Sequence, residues 1–232
     1  LSENVIYWDP ARGVLAGDQL AGIDGVIHLA GESIASGRWT PERKARICDS
    51  RLQGTRLLCE RLAACSQPPA FLISASAIGY YGNRGDDVVD EASSQGTGFL
   101  ADLCAAWEAE TGRAIKAGIR VVNFRLGIVL SARGGALQKM LPPFRLGLGG
   151  PLGNGAMWMS WIHLDDVVNA IRFAMYHPEL QGPVNAVAPN PVTNRVFTQA
   201  LGRALNRPAF LAVPAPILRL ALGEMADELL LS

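Results

Sequence analysis

The chain has 232 residues, 49% of them apolar and 18% charged, with 21 Lys and Arg against 21 Asp and Glu. That composition can bury a sizeable core and excludes a disordered chain, while zero formal net charge argues against a general nucleic-acid binder, which carries a basic excess. No stretch reaches the roughly 18 uninterrupted apolar residues that span a bilayer; the nearest, Ala209 to Leu222, is broken by Pro214, Pro216 and Arg219.

At about 150 residues per domain, the length fits one domain with a lobe attached. Leu1 to Val5 has no basic region before an apolar block and does not read as a secretory leader. Val26–Leu29 is a short apolar run ending in Ala30-Gly31, a buried-strand signal. A helix follows: Thr40 suits the N-cap, Pro41 the first helical position and Glu42 the positive end of the dipole. Ala45, Cys48, Leu52, Thr55, Cys59 and Leu62 share one face of it. Phe71–Ser74 is the next strand, Asp86 to Gly98 a polar loop, and Phe99 to Lys116 a second helix that Gly118 ends. Arg120–Arg125 is a third strand. Strands alternating with helices give parallel crossovers, hence an α/β, Rossmann-like doubly wound sheet.

After Leu130 the texture changes to glycine and proline. Ala136 to Phe144 reads as partly helical, Trp158 to Ile162 as a strand, Asp165 to Tyr176 as a helix with Asp165 as its cap, and Val184 to Val187 as a short strand. From Thr193 the chain is helical. Residues 1–133 and 158–187 are the sheet domain, and 134–157 with 188–232 a small C-terminal substrate lobe. Cys48, Cys59, Cys65 and Cys104 lack C-x-x-C spacing and read as reduced thiols of a cytoplasmic protein. His28, His163 and His177 lie far from them, so no metal site is expected.

In an open parallel sheet, ligands bind at the carboxyl ends of the strands. Those ends are Leu29-Ala30-Gly31, Ser74-Ala75-Ser76 and Leu126 to Val129. Small residues at all three let a flat ligand approach the backbone, although tight helix–sheet packing also demands them. The helix from Thr40 is basic, as a solvated face would be, yet Arg51 lies close to its apolar side, where an arginine needs an anion such as a phosphate. No glycine-rich strand–turn–helix precedes Val26; Gly13 and Gly17 lie in a loop-like segment, and the chain reads as starting late.

Val26–Glu32 (VIHLAGE), Arg38-Trp39, Ser50-Arg51-x-x-Gly54-Thr55, Ser74–Gly82 (SASAIGYYG), Trp107-Glu108, Gly135–Gly150 (GALQKMLPPFRLGLGG) and Trp161–Asp166 (WIHLDD) resemble the atypical extended short-chain dehydrogenase/reductases. The likeness is to the branch described as nucleoside-diphosphate-sugar epimerases, and it covers nearly the whole chain. It implies a fragment truncated at both ends, and NADP as cofactor, with NAD possible. It implies that Leu29, Ala30 and Gly31 flank the adenine-ribose and pyrophosphate side, that Arg51, Arg46 and Ser74 border the cofactor, and that the Val129 backbone meets the nicotinamide amide. Ser76 fills the place of the serine that polarises a carbonyl. The usual Tyr-x-x-x-Lys acid–base pair is missing, because Phe99 or Leu100 and Leu103 or Cys104 stand there. Tyr80 and Tyr81 are then the nearest phenols for the proton, or simply packing aromatics, while Cys104 reads as core.

Two functions remain open. One is an NADP(H)-dependent oxidoreductase or epimerase-like enzyme on a small-molecule or nucleotide-linked substrate, with no nucleic-acid or membrane partner and no assigned oligomeric state. The other is a non-catalytic NADP(H)-binding sensor or scaffold. The charges of the lobe do not by themselves name a substrate.

Overall fold

In a computed structural model, residues 5–16 and 20–232 are described; Gly17 lies outside them. A short antiparallel pair, β1 (Trp8–Asp9) and β2 (Val14–Leu15), leads into β3 (Gly25–His28), α1 (Pro41–Ala63), β4 (Phe71–Ala77), α2 (Phe99–Glu110), α3 (Gly112–Lys116) and β5 (Arg120–Leu126). Then come β6 (Ile128–Ser131), α4 (Gly135–Arg145), β7 (Trp158–Met159), β8 (Trp161–His163), α5 (Leu164–Tyr176) and β9 (Gly182–Ala186). The last elements are β10 (Val192–Thr193), α6 (Asn194–Leu205), α7 (Ala215–Leu222) and α8 (Glu224–Leu230).

The main sheet has the order β3-β4-β5-β9, all parallel. Parallel neighbours need crossovers, which α1 and α2–α3 supply. Side chains alternate across each strand, so Leu72, Ser74 and Ser76 face α1 and α2 while Ile73 and Ala75 face away. On the first side Leu57, Leu62, Leu72, Ile119 and Val121 form a core. On the other, Ile73, Val122 and Phe124 pack against Ile162 and against Val167 and Ile171 of α5. A third cluster, Trp39, Ile47, Leu103 and Met225, ties the beginnings of α1 and α2 to α8.

The start of α1 is as the sequence implies: Thr40 Oγ1 accepts from Arg43 N at 3.2 Å, and Pro41 follows. Element ends shift by one to three residues elsewhere, and three expectations change in kind. The expected helix 99–116 is two, because Thr111 turns its hydroxyl onto Glu108 O (2.7 Å) and its carbonyl starts α3; the apolar periodicity runs on through this break. The expected strand 158–162 also splits. β7 pairs antiparallel with β10 and β8 parallel with β6, and Ser160 O between them accepts from Ile128 N at 2.8 Å. Gly127 permits that approach, since a Cβ there would stand 2.6 Å from Ser160 O. Finally, Asp165 does not cap α5. His163 does, its Nδ1 accepting from Asp165 N at 3.2 Å, so Asp165 falls inside the first turn, where a carboxylate favours the helix dipole.

No local side chain caps α2. Gly98 precedes it at φ +106°, and the Glu228 carboxylate of α8 accepts from Phe99 N (2.8 Å) and Leu100 N (3.0 Å). A Cβ at Gly98 would meet Glu228 Oε1 at 2.7 Å and displace that carboxylate, and the positive φ itself favours glycine. Removing such a cap costs about 1–2 kcal/mol, and the urea midpoint of Glu228→Ala should fall accordingly at unchanged m-value.

Among the described residues no helix is long and apolar enough to cross a membrane, and no group of three or more His, Cys, Asp or Glu could hold a metal.

Candidate functional site

The carboxyl end of β3 is open: Leu29 is 55% exposed, Ala30 half-buried and Gly31 exposed. Arg51 of α1 covers it, and a Cβ on Gly31 would stand 3.3 Å from Arg51 Cζ. Arg51 Nη1 donates to Glu32 O (3.0 Å) and Ile47 O (3.1 Å), and its guanidinium lies 5.1 Å from the Trp107 ring centroid. Glu32, the nearby carboxylate, pairs with Arg43 instead. Arg51 therefore makes no ion pair among the described residues, and burial holds its guanidinium below the ordinary value.

A buried chain of polar groups fixes this wall. Trp107 Nε1 donates to Thr55 Oγ1 at 2.8 Å, and Thr55 Oγ1 lies 2.9 Å from His28 Nε2. An indole only donates, so the Thr55 oxygen accepts there and its proton is available to His28 Nε2. Burial pushes the His28 imidazole from 6.5 down to about 4, which favours its neutral form, and either neutral tautomer can share a hydrogen bond with the Thr55 hydroxyl.

One residue further along α2, Glu108 organises a second network. Ser76 Oγ donates to Glu108 Oε1 at 2.6 Å. Arg125, 3% exposed and beside Ser76 in register, donates Nε to Oε1 (2.9 Å) and Nη2 to Oε2 (2.8 Å). Arg125 Nη1 also donates to Tyr81 Oη (3.0 Å), which donates to Asn185 Oδ1 (2.7 Å). Burial works to lower the Arg125 guanidinium, but hydrogen bonds with Glu108 and Tyr81 outweigh it and hold it above its ordinary value. Tyr80 lies flat against Arg125, 3.5 Å from ring centroid to Cζ, and its hydroxyl bonds no described residue. The loop after Tyr81 is pinned across the strand ends: Trp158 Nε1 donates to Asp86 Oδ1 (2.7 Å), and Asn185 N to Glu91 Oε1 (2.7 Å).

Arg51 lies over Trp107 and Ser76 bonds Glu108, so neighbouring residues of α2 contact the two separately. The Val129 side chain packs with the α5 cluster. Ser74 is fully buried, its hydroxyl on Ala75 O at 3.3 Å. Arg46 is exposed near Glu42. Cys104 is buried and its thiol is pushed up to about 11, mainly by burial, which suits core packing and suppresses the thiolate. Sequence reasoning missed Glu108, Arg125 and Asn185 as site residues. The available signal was Arg125 itself, a charge among the apolar residues of a central strand.

The sequence matches the NAD dependent epimerase/dehydratase family over residues 12–187. This chain belongs to that family. An epimerase family protein of Mycobacterium bovis is 49% identical over 226 residues, which are 97% of this chain and 74% of that one. The crystal structure of human epimerase family protein SDR39U1, isoform 2, with NADPH superposes with a TM-score of 0.84 at 35% identity, over 90% of this chain and 73% of the human one. The nucleoside-diphosphate sugar epimerase of Corynebacterium glutamicum superposes with a TM-score of 0.73 at 40% identity, over 92% and 45% of the two chains. The expected resemblance and the parallel α/β fold are both borne out. In this member of the epimerase/dehydratase family, Leu103 and Cys104 of α2 are both buried, with Leu103 in the apolar cluster shared with α8.

Proposed function

We propose that this chain binds NADP(H), with NAD possible, across the carboxyl ends of β3 and β4, and acts as an oxidoreductase or epimerase-like enzyme on a small or nucleotide-linked substrate. Arg51 carries the reading: a part-buried guanidinium, satisfied only by carbonyls, set against the bare Cα of Gly31. Such a group fits a phosphate. Two relatives support it, the human protein solved with NADPH and the C. glutamicum protein named a nucleoside-diphosphate sugar epimerase. Leu29, Ala30 and Gly31 would border the cofactor, with Arg46 an outer cation; Ser74 lies too deep to reach it without rearrangement. Residues 134–157 and 188–232 would form the substrate lobe.

The cofactor, when bound, supplies the hydride chemistry. The chain's own part is to position and to move a proton. Ser76 already gives its proton to Glu108, so its oxygen can accept but does not donate to a carbonyl in this arrangement. Tyr81 is bonded on both sides. Tyr80, whose ring lies over Arg125 and whose hydroxyl bonds no described residue, is the phenol free to exchange a proton.

Titration with NADPH, followed by nicotinamide fluorescence, tests the cofactor assignment. Arg51→Gln should bind at least about tenfold more weakly, as expected for losing a charge-assisted hydrogen bond, and Arg51→Lys should fall between, since a point charge replaces the planar fork. Equal affinity in all three would overturn it.

The committed hydroxyls of Ser76 and Tyr81 favour one second reading, a NADP(H)-binding protein without turnover. Stopped-flow absorbance with bound NADPH and a panel of sugar nucleotides and carbonyls separates the two: oxidation by any of them supports the enzyme, and tight binding with no oxidation supports the sensor.

A further inference from the structure

The single turn Ile78–Tyr81 that follows β4 packs against β5, and Arg125 of β5 meets both of its tyrosines. Three acceptors fix the plane of the Arg125 guanidinium: the two oxygens of Glu108, at 2.9 and 2.8 Å, and Tyr81 Oη at 3.0 Å. Tyr81 is held in turn by Asn185 at 2.7 Å. A guanidinium bonded in this way and almost wholly buried cannot turn without breaking a hydrogen bond that water does not replace.

Tyr80 takes the face of this plate. Its ring centroid stands 3.5 Å from Arg125 Cζ, and the Tyr81 ring packs against it at 85°, with centroids 5.4 Å apart. Its backbone is tied as well, Tyr80 O accepting from Gly96 N at 3.0 Å. What remains free is the hydroxyl. Guanidinium planes stack on aromatic faces, and the attraction grows as the pair leaves water; Tyr80 is half-buried. The helix α2, whose residues are FLADLCAAWEAE, has no Lys or Arg of its own, so the cation beside this phenol comes from β5. A proton passes only within hydrogen-bond reach of the reacting atom, and a misplacement of about 1 Å costs about a hundredfold in rate. A flat, immobile plate under the ring removes the side-chain rotations that would produce it.

We propose that Arg125 is a positioning residue for the Tyr80 phenol: locked by Glu108 and Tyr81, it fixes the ring and presents the free hydroxyl beyond the carboxyl end of β4. The inference rests on the reading of Tyr80 as the group that exchanges the proton. Arg125 itself moves no proton and meets no substrate. Glu108 and Asn185 act one step further back, Glu108 by holding the plate and Asn185 by holding Tyr81 against it.

The whole chain labelled with 3-fluorotyrosine tests the orientation by fluorine NMR. It has four tyrosines, Tyr7, Tyr80, Tyr81 and Tyr176, and Tyr80→Phe assigns the Tyr80 signal. Arg125→Lys keeps the charge and loses the plane; Glu108→Leu/Arg125→Met removes plate and partner together and stays folded should the lysine variant not. In either, the Tyr80 signal should move to the position of free 3-fluorotyrosine while those of Tyr7 and Tyr176 stay. A Tyr80 signal unchanged in a folded variant overturns the proposal. Stopped-flow oxidation of bound NADPH by the panel of sugar nucleotides and carbonyls reads the chemical consequence. Arg125→Lys should slow the rate at saturation about tenfold or more, with the half-saturating concentration within about twofold of wild type. In the Tyr80→Phe background the same change should cost nothing further; a further tenfold loss there also overturns the proposal, because Arg125 would then act through another group. Absence of oxidation in the wild type removes the enzymatic reading of Tyr80, and the fluorine signal still decides whether Arg125 sets its orientation.

Discussion

Glu108→Ala should destabilise the protein by about 3–5 kcal/mol, because it strands a buried guanidinium. Arg125 is 3% exposed and holds Glu108 with two hydrogen bonds. With Glu108 gone, Tyr81 remains the only hydrogen-bonding partner of its guanidinium among the described residues, and water cannot reach it cheaply. At 2–4 °C per kcal/mol for a chain of this size, Tm should fall on the order of 10 °C. The double variant Glu108→Leu/Arg125→Met removes both charges and should recover much of the loss, which separates an uncompensated charge from simple loss of packing. A single variant within about 1 kcal/mol of wild type in urea would show that the pair contributes little. The same change releases the Ser76 proton, so Glu108 decides both stability and what that hydroxyl can do.

The second large effect is a pH dependence set by His28. The folded protein holds this imidazole at about 4, against 6.5 for a freely solvated one, through burial. Its neutral form is bonded to Thr55. A depressed folded pKa means that the unfolded chain binds the proton first. The contribution to stability is therefore complete above pH 6.5, declines as the pH falls, and is exhausted below about 4. At 1.36 kcal/mol per pH unit the loss over that window is about 3 kcal/mol. Urea unfolding of wild type and His28→Asn at pH 7, 5.5 and 4 checks it: the two curves should converge as the pH falls, and parallel curves would exclude His28 as the source.

The elements were legible where a local rule acts alone. Thr40-Pro41 marked the start of α1, and the apolar runs Val26–Leu29 and Phe71–Ser74 marked strands, because capping and alternation are properties of neighbours in sequence. The break at Thr111 was hidden because both sides keep one apolar phase. His163 displaced Asp165 as the cap of α5 because the strand β8 runs directly into that helix, leaving the residue before Leu164 in the capping position. The site was half legible. Gly31 and Arg51 stand where a ligand would be expected, but Ser76 has a meaning that depends on Glu108, 32 residues away in sequence, and on Arg125, which only strand register brings alongside.

The Glu228 cap also has a consequence for how the molecule is made. Its carboxylate closes the first turn of α2 from 129 residues further along the chain. At 5–20 residues per second of synthesis, α2 waits roughly ten seconds for its last two bonds after its own residues have emerged. Contacts of such separation are formed late and slowly. The wall carrying Trp107 and Glu108 is therefore finished only when α8 arrives, and a nascent chain halted before residue 228 would present that wall with a frayed beginning.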